Sequence, residues 1–267
     1  MALSRSKAEV SPEIKNLVST DSLPGLTEPE PGILSSVGEA DASHNRRFEG
    51  LYGRLYTRVI QTPALRKAAF SLWRSADPLY DLEIFVGDAV GAAQTLEADP
   101  ILVDLASGAG TLLPFLVRER FEGTVVEVDL ALPMLQRAVA FQRSSAPELK
   151  AVFLHSDALD LPLRSAVADV VVSMNGLHVV PDHAGFLAEA ARITKPGGRL
   201  WLITPVDGPS LRSRAILGAA NMLGITPKTP PTLRDLRRLL NETGFSEVRW
   251  YGGASITGLA CERLAID

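Results

Sequence analysis

The residues best placed to do chemistry lie in Ile101-Leu102-Val103-Asp104-Leu105-Ala106-Ser107-Gly108-Ala109-Gly110, an apolar run that breaks into small residues before a helical pattern begins. Glycine at 108 and 110 lets the backbone turn sharply and lets a ligand approach where any Cβ would collide. Asp104 stands on the strand before this loop, and Asp129 closes the next apolar run, about 20 residues after the loop. A carboxylate in that position can accept both hydroxyls of a ribose. Asp104 is costly inside a buried strand end unless it is paired, so its place is beside a ligand or capping the turn. Asp157 follows a later apolar run, where it either meets the ligand or closes a backbone turn. Ser173, Met174, Asn175 and His178 follow another run and should stand at the carboxyl edge of a sheet, where open α/β folds bind ligands. The His178 imidazole suits proton abstraction from a hydroxyl, with a packed or surface histidine as the plain alternative.

Two competing chemistries are weighed by spacing. A dinucleotide fingerprint needs a third small residue three positions after the second glycine, and Leu113 stands there. A pyrophosphate sits well on glycines at a helix start, whereas a cation such as a sulfonium is better served by carboxylates like Asp104 and Asp129. Lys195-Pro196-Gly197-Gly198 reads as a helix stop and turn, and Asp169 as a structural acid at the start of a strand. No spacing resembles a zinc site, so no metal is expected.

The elements that must hold these residues follow from periodicity. Short apolar runs ILVDLA, TVVEVDL, AVFLHSD, ADVVVSM and GRLWLIT alternate with helical patterns at roughly 110 to 120, 131 to 144 and 183 to 194, which predicts βαβ units and a parallel sheet. After Asp235 a further helix ends at Gly244, and the last runs, SEVRWY and SITGLACERL, are linked too briefly for a crossover helix, so they must be antiparallel. Residues 1–42 are rich in Ser, Pro, Glu and Gly without a sustained period and read as a flexible arm. Residues 43–96 read as a helical cap, and 205–231 as an insertion carrying an amphipathic helix and several prolines.

With 46% apolar and 22% charged residues in 267, the chain can build one sizeable core. A net charge of -4 offers no field for a phosphate backbone, which argues against nucleic acid. Arg46, Arg47, Arg54, Arg58, Arg66, Lys67 and Arg74 lie among Phe48, Tyr52, Tyr56 and Trp73, as a solvated helix face or as a contact for an acidic or lipid-like substrate. Cys261 alone makes no internal disulfide. With no leader-like apolar stretch at the start and no run long enough to cross a membrane, the expectation is a cytoplasmic protein without a transmembrane segment.

VDLASGAG resembles the first motif of class I S-adenosylmethionine-dependent methyltransferases, commonly VLDLGCGTG or VLDLACGTG. Over about residues 100 to 200, four further segments match in the family's order: VVEVDLALPMLQRA, HSDALDLPL, ADVVVSMNGLHVVPD and EAARITKPGGRLWLIT. The flavour is that of ubiquinone/menaquinone-type and small-molecule methyltransferases. Ala106 replaces a commoner glycine, and Ser107 stands where cysteine is frequent. The resemblance implies a Rossmann-like sheet of seven strands, mostly parallel with an antiparallel last strand, helices on both faces and an N-terminal helical cap. It implies S-adenosylmethionine as cofactor, with Asp104 orienting the loop and the methionine amino group, Asp129 on the ribose and Leu130 against the adenine. Asp157 and Ala158 would meet the adenine edge, and Ala106, Ser107, Gly108, Gly110, Met134, Ser173 and Asn175 would complete the contacts. The methyl group would pass by in-line displacement to a small, fairly apolar metabolite, lipid-like or aromatic, entering under a lid of residues 43–96 and 205–231. The chain would act as a monomer or homodimer. The alternative is a cofactor-binding scaffold or cyclase that transfers no methyl group.

Overall fold

A computed structural model describes residues 11–37, 81–207, 230–252 and 256–265, together with the single residues Arg58, Thr62, Ala64, Leu65 and Gly218. Its centre is a sheet of strands β1 (Thr27–Glu30), β2 (Ile33–Ser35), β3 (Ile101–Leu105), β4 (Thr124–Asp129), β5 (Lys150–His155), β6 (Ala168–Met174), β7 (Thr194–Pro205), β8 (Phe245–Trp250) and β9 (Ile256–Arg263). The order across the sheet is β1-β2-β5-β4-β3-β6-β7-β9-β8. The pairs from β2 through β7 are parallel, while β9 runs antiparallel to both β7 and β8.

Parallel strands sit between two helical layers, so their residues are apolar on both faces. On one face Leu102, Val125, Val170 and Val172 pack against helices α2 (Leu82–Leu96), α3 (Leu113–Arg118) and α4 (Leu132–Ser145) through Phe85, Ala89, Leu113, Leu116, Leu135 and Ala138. On the other, Val103, Val126, Val128 and Val171 meet α5 (His183–Ile193) and α6 (Leu233–Glu242) through Phe186, Leu187, Ala190, Leu236 and Leu240. Chain order runs outward from β3 to β4 and β5, then returns to place β6 on the other side of β3. That reversal opens a crevice at the carboxyl ends of β3 and β6.

Three expectations change. The N-terminal arm is in part folded: Pro12–Leu17 forms a short helix, α1, capped by the Ser11 hydroxyl, and β1 and β2 form an antiparallel pair whose inner member extends the sheet in parallel with β5. Ile33 and Leu34 are buried there, because the free edge of β5 would otherwise leave its backbone groups and Phe153 uncovered. The strand count is therefore nine rather than seven, β1 and β2 adding to the seven strands from β5 across to β8, which are parallel except for the antiparallel β9. Of the expected cap at 43–96, residues 82–96 form a helix of the sheet's own layer, with Phe85 edge-on to Trp201 and Tyr251 at 5.5 and 5.2 Å. The rest of that cap, with the basic and aromatic cluster, lies outside the described residues apart from the single positions named above, as does most of the 205–231 insertion.

The Lys195–Gly198 segment is structural, as its residue types suggested. It bulges from β7, and Lys195 Nζ meets the buried Asp169 carboxylate at 2.6 Å while the other Asp169 oxygen accepts the Ile101 N–H at 2.9 Å.

Candidate functional site

Where β3 ends, three residues in alternation take a left-handed backbone: Ala106 (φ 58°), Gly108 (φ 60°) and Gly110 (φ 74°). This winding folds the loop back over β4, and the Ser107 N–H donates to the Val128 carbonyl at 3.0 Å. The two glycines serve different needs. A Cβ at Gly110 would lie 2.6 Å from Leu113 Cδ1 and 3.1 Å from Ala138 Cβ, so its absence lets the loop pack against α4. A Cβ at Gly108 would meet only the Met134 methyl, at 3.5 Å, so that position needs glycine for its φ and offers an open approach. Met134 itself is buried with Ala109 and Ala131 beneath the loop.

Asp129 fastens this loop to the strand it crosses. One carboxylate oxygen accepts the Gly108 N–H and the other the Ala131 N–H, both at 2.7 Å. Burial pushes its pKa up, and these two backbone donors pull it back. Each oxygen keeps lone-pair capacity, so a half-buried carboxylate already held in place can still accept sugar hydroxyls. Directly beyond, the Ser156 N–H donates to the Asp129 carbonyl, bringing the Asp157–Ala158 turn to the same edge. One Asp157 oxygen closes that turn on the Leu159 N–H at 2.9 Å.

On the opposite side of the crevice, Ser173 departs from its expected role. Its hydroxyl is fully buried and donates to the Leu105 carbonyl at 2.9 Å, so it props the loop and is not a wall of the crevice. Asn175 adopts a left-handed φ of 63° and donates its N–H to Ile203. Gly176 then passes over the loop so closely that a Cβ there would sit 2.7 Å from Ala106 Cβ and 2.5 Å from Ser173 Oγ. His178 follows on a single turn of 3-10 helix, Leu177–Val179, and is buried.

Four participants were not singled out from sequence. Gly176 is one. Glu127, completely buried on β4, is another, and its signal was a lone acid in a valine strand two residues before Asp129. His155 and Ser35 are the others: one ring nitrogen of His155 lies 2.9 Å from the Ser35 hydroxyl and the other 3.0 Å from the Leu130 carbonyl, so the N-terminal strand pair braces the wall beside Leu130. Facing a carbonyl, Nε2 is the donor in the second of these bonds. Ser36 adds a hydroxyl bond to Ser156 at 3.0 Å. No such pairing is readable from residues 120 positions apart.

A buried acid pair completes the floor. Asp104 and Glu127 are register partners on β3 and β4, and none of their carboxyl oxygens, nor the Ser107 hydroxyl, has a hydrogen-bond partner among the described residues. Burial raises the pKa of Asp104 well above the usual carboxylate range, with Glu127 and Asp129 adding to it. Burial likewise pushes Glu127 up to about 8, softened by the nearby Ser107 side chain and reinforced by Asp129. The floor is acidic, desolvated and uncompensated, which fits a cationic ligand and opposes a pyrophosphate.

A doubly wound, mostly parallel sheet with a glycine-turned loop at its reversal point and a carboxylate closing the next strand is the Rossmann-like arrangement. Residues 103–202 match the family model described as a methyltransferase domain. Demethylmenaquinone methyltransferase of Thermus thermophilus is 39% identical over 103 residues, covering 38% of this chain and 46% of that protein. Nocamycin O-methyltransferase of Saccharothrix syringae is 34% identical over 116 residues, covering 43% and 41%. The chain thus spans less than half the length of these two relatives. Among solved structures, the YcgJ protein of Bacillus subtilis shares the fold, with a TM-score of 0.58 at 12% identity over 68% of this chain and 99% of that one.

Among the described residues no group of side chains could hold a metal ion, and no helix is long and apolar enough to cross a membrane.

Proposed function

We propose that this protein transfers the methyl group of S-adenosylmethionine to a small, fairly apolar metabolite through an oxygen, nitrogen or carbon nucleophile. The observation that carries the reading is Asp129, bonded at 2.7 Å to Gly108 of the loop at the sheet's reversal point, inside the segment that matches a methyltransferase domain. The names of the two relatives, for demethylmenaquinone and nocamycin, support a small metabolite as acceptor over a scaffold that transfers nothing.

When bound, the cofactor supplies a methyl carbon activated by positive sulfur, so the protein has mainly to position and desolvate. Asp129 accepts the ribose hydroxyls while holding the loop. Gly108 leaves room for the adenosyl group to lie against the backbone. Leu130, Met134 and Ala158 give the base an apolar bed, and Asp157 meets its polar edge with the oxygen its turn does not use. Asp104, whose oxygens bond none of the described residues, is left to face the methionine amino group from below. His178, next along the chain from β6, takes the acceptor proton where the acceptor is a hydroxyl. Residues 43–80 and 208–229 are assigned the acceptor side on the strength of their sequence alone.

Calorimetric titration with S-adenosylhomocysteine and with NADH tests the reading, followed by labelled-methyl transfer to phenols, quinols, amines, sugars and fatty acids. Binding of S-adenosylhomocysteine and label in any acceptor class supports it; binding of NADH alone ends it.

A further inference from the structure

Strand β4 reads Thr-Val-Val-Glu-Val-Asp, and Glu127 is the one residue of that run whose burial makes no sense as packing. It faces Asp104 across one strand spacing of about 4.8 Å and shares its face of the sheet with Asp129, two residues on. The groups around it offer little relief. From β3 comes Asp104, from β4 Asp129, and from β5 its register partner is Phe153. The loop contributes the Ser107 hydroxyl, which eases the Glu127 charge by less than burial opposes it. The helices over this face present Leu113, Leu135 and Ala138. Arg137 of α4 sets its guanidinium 3.1 Å from the Met134 sulfur, and the charges acting on Glu127 are those of its carboxylate neighbours. Two ionised carboxylates at this spacing, out of water and with only the Ser107 hydroxyl beside them, repel strongly, so the pair keeps a proton.

We propose that Glu127 and Asp104 form a proton-sharing pair beneath the loop, which releases its proton to solvent when a cationic sulfonium occupies the crevice above and regains it when the sulfur becomes neutral. Glu127 is then a positioning residue that acts through charge and does not touch the ligand. The pair tightens the hold on the charged methyl donor and relaxes it on the demethylated product, which favours exchange after each turnover. This inference rests on the cofactor reading given above.

Calorimetry on the full chain tests it, with S-adenosylmethionine and S-adenosylhomocysteine each titrated in buffers of differing ionisation enthalpy from about pH 6.5 to about pH 8.5, after subtracting the free ligands' own ammonium titration. The methyl donor is expected to release ~0.5–1 proton more than the product, and its affinity to climb with pH by up to ~10-fold per unit more steeply. Glu127→Gln, with thermal unfolding as the check on its fold, is expected to abolish the difference, and Glu127→Asp to retain it. Equal proton release by the two ligands in the unmodified protein overturns the inference whether or not the variants fold, as does a difference that persists in folded Glu127→Gln. Failure of both ligands to bind overturns instead the cofactor reading on which it stands.

Discussion

Replacing Asp129 should damage the loop and the ligand site together, and the geometry says by how much. Its two oxygens accept the Gly108 and Ala131 N–H groups at 2.7 Å each, short distances typical of a charged acceptor. Such bonds contribute about 1.5–3 kcal/mol each when fully buried. The carboxylate is half-buried, so water re-solvates part of what is lost, and Asp129→Ala should cost about 1–3 kcal/mol of stability in all. For a domain of this size each kcal/mol corresponds to roughly 2–4 °C in Tm. Loss of the sugar acceptor should weaken S-adenosylhomocysteine by a further ~1–3 kcal/mol, about 5- to 150-fold in Kd. Asp129→Asn is the sharper test. One amide oxygen can serve only one of the two N–H groups, and the amide nitrogen must then point a donor at the other. The asparagine variant should therefore bind nearly as poorly as alanine despite its similar shape. The measurements are calorimetric Kd and thermal unfolding on the same samples. If Asp129→Asn keeps Kd within about twofold and Tm unchanged, the carboxylate neither holds the loop nor meets the sugar.

Four other outcomes follow. Ala106→Gly should raise stability by up to about 1 kcal/mol in denaturant unfolding, since it relieves a left-handed alanine. Gly176→Ala should lower it, and Ala106→Gly should rescue only part of the loss, because Ser173 Oγ and the Leu105 carbonyl still crowd the new Cβ. His155→Ala removes both ring bonds, to Ser35 and to the Leu130 carbonyl; a loss of about 2 kcal/mol and weaker S-adenosylhomocysteine binding are expected, and unchanged values for both would separate the N-terminal strands from the site. His178→Gln should slow methyl transfer to a hydroxyl acceptor by ~10²-fold or more, with cofactor Kd little changed and the acidic limb of the pH–rate profile lost; retention of that limb would remove His178 from the chemistry.

The inner sheet was legible because its signals are local. The short apolar runs at 101–105, 124–129 and 168–174, alternating with helical patterns, read as strands buried on both faces, and Gly108 and Gly110 mark where the first of them turns. Asp129 was found by position, as the polar end of an otherwise apolar run. What misled was composition: Thr-Glu-Pro-Glu and Ile-Leu-Ser are too short and too mixed to announce strands, and they become strands by pairing with each other and with β5. Leu82–Leu96 has a helical pattern that says nothing about whether it caps the molecule or layers the sheet, and Phe85 against Trp201 and Tyr251 decides for the layer.

The order of residue types along the chain determined by itself that there would be a parallel sheet, where its loop would wind, and which acid would close the next strand, since each depends on neighbours a few positions apart. Only the tertiary structure decided that Ser173 props the loop, that His155 ties residues 33–37 to the wall beside Leu130, and that Asp104 and Glu127 confront each other in a buried floor. Register between strands sets those meetings, and register is fixed by burial summed over the whole sheet, which no single segment carries.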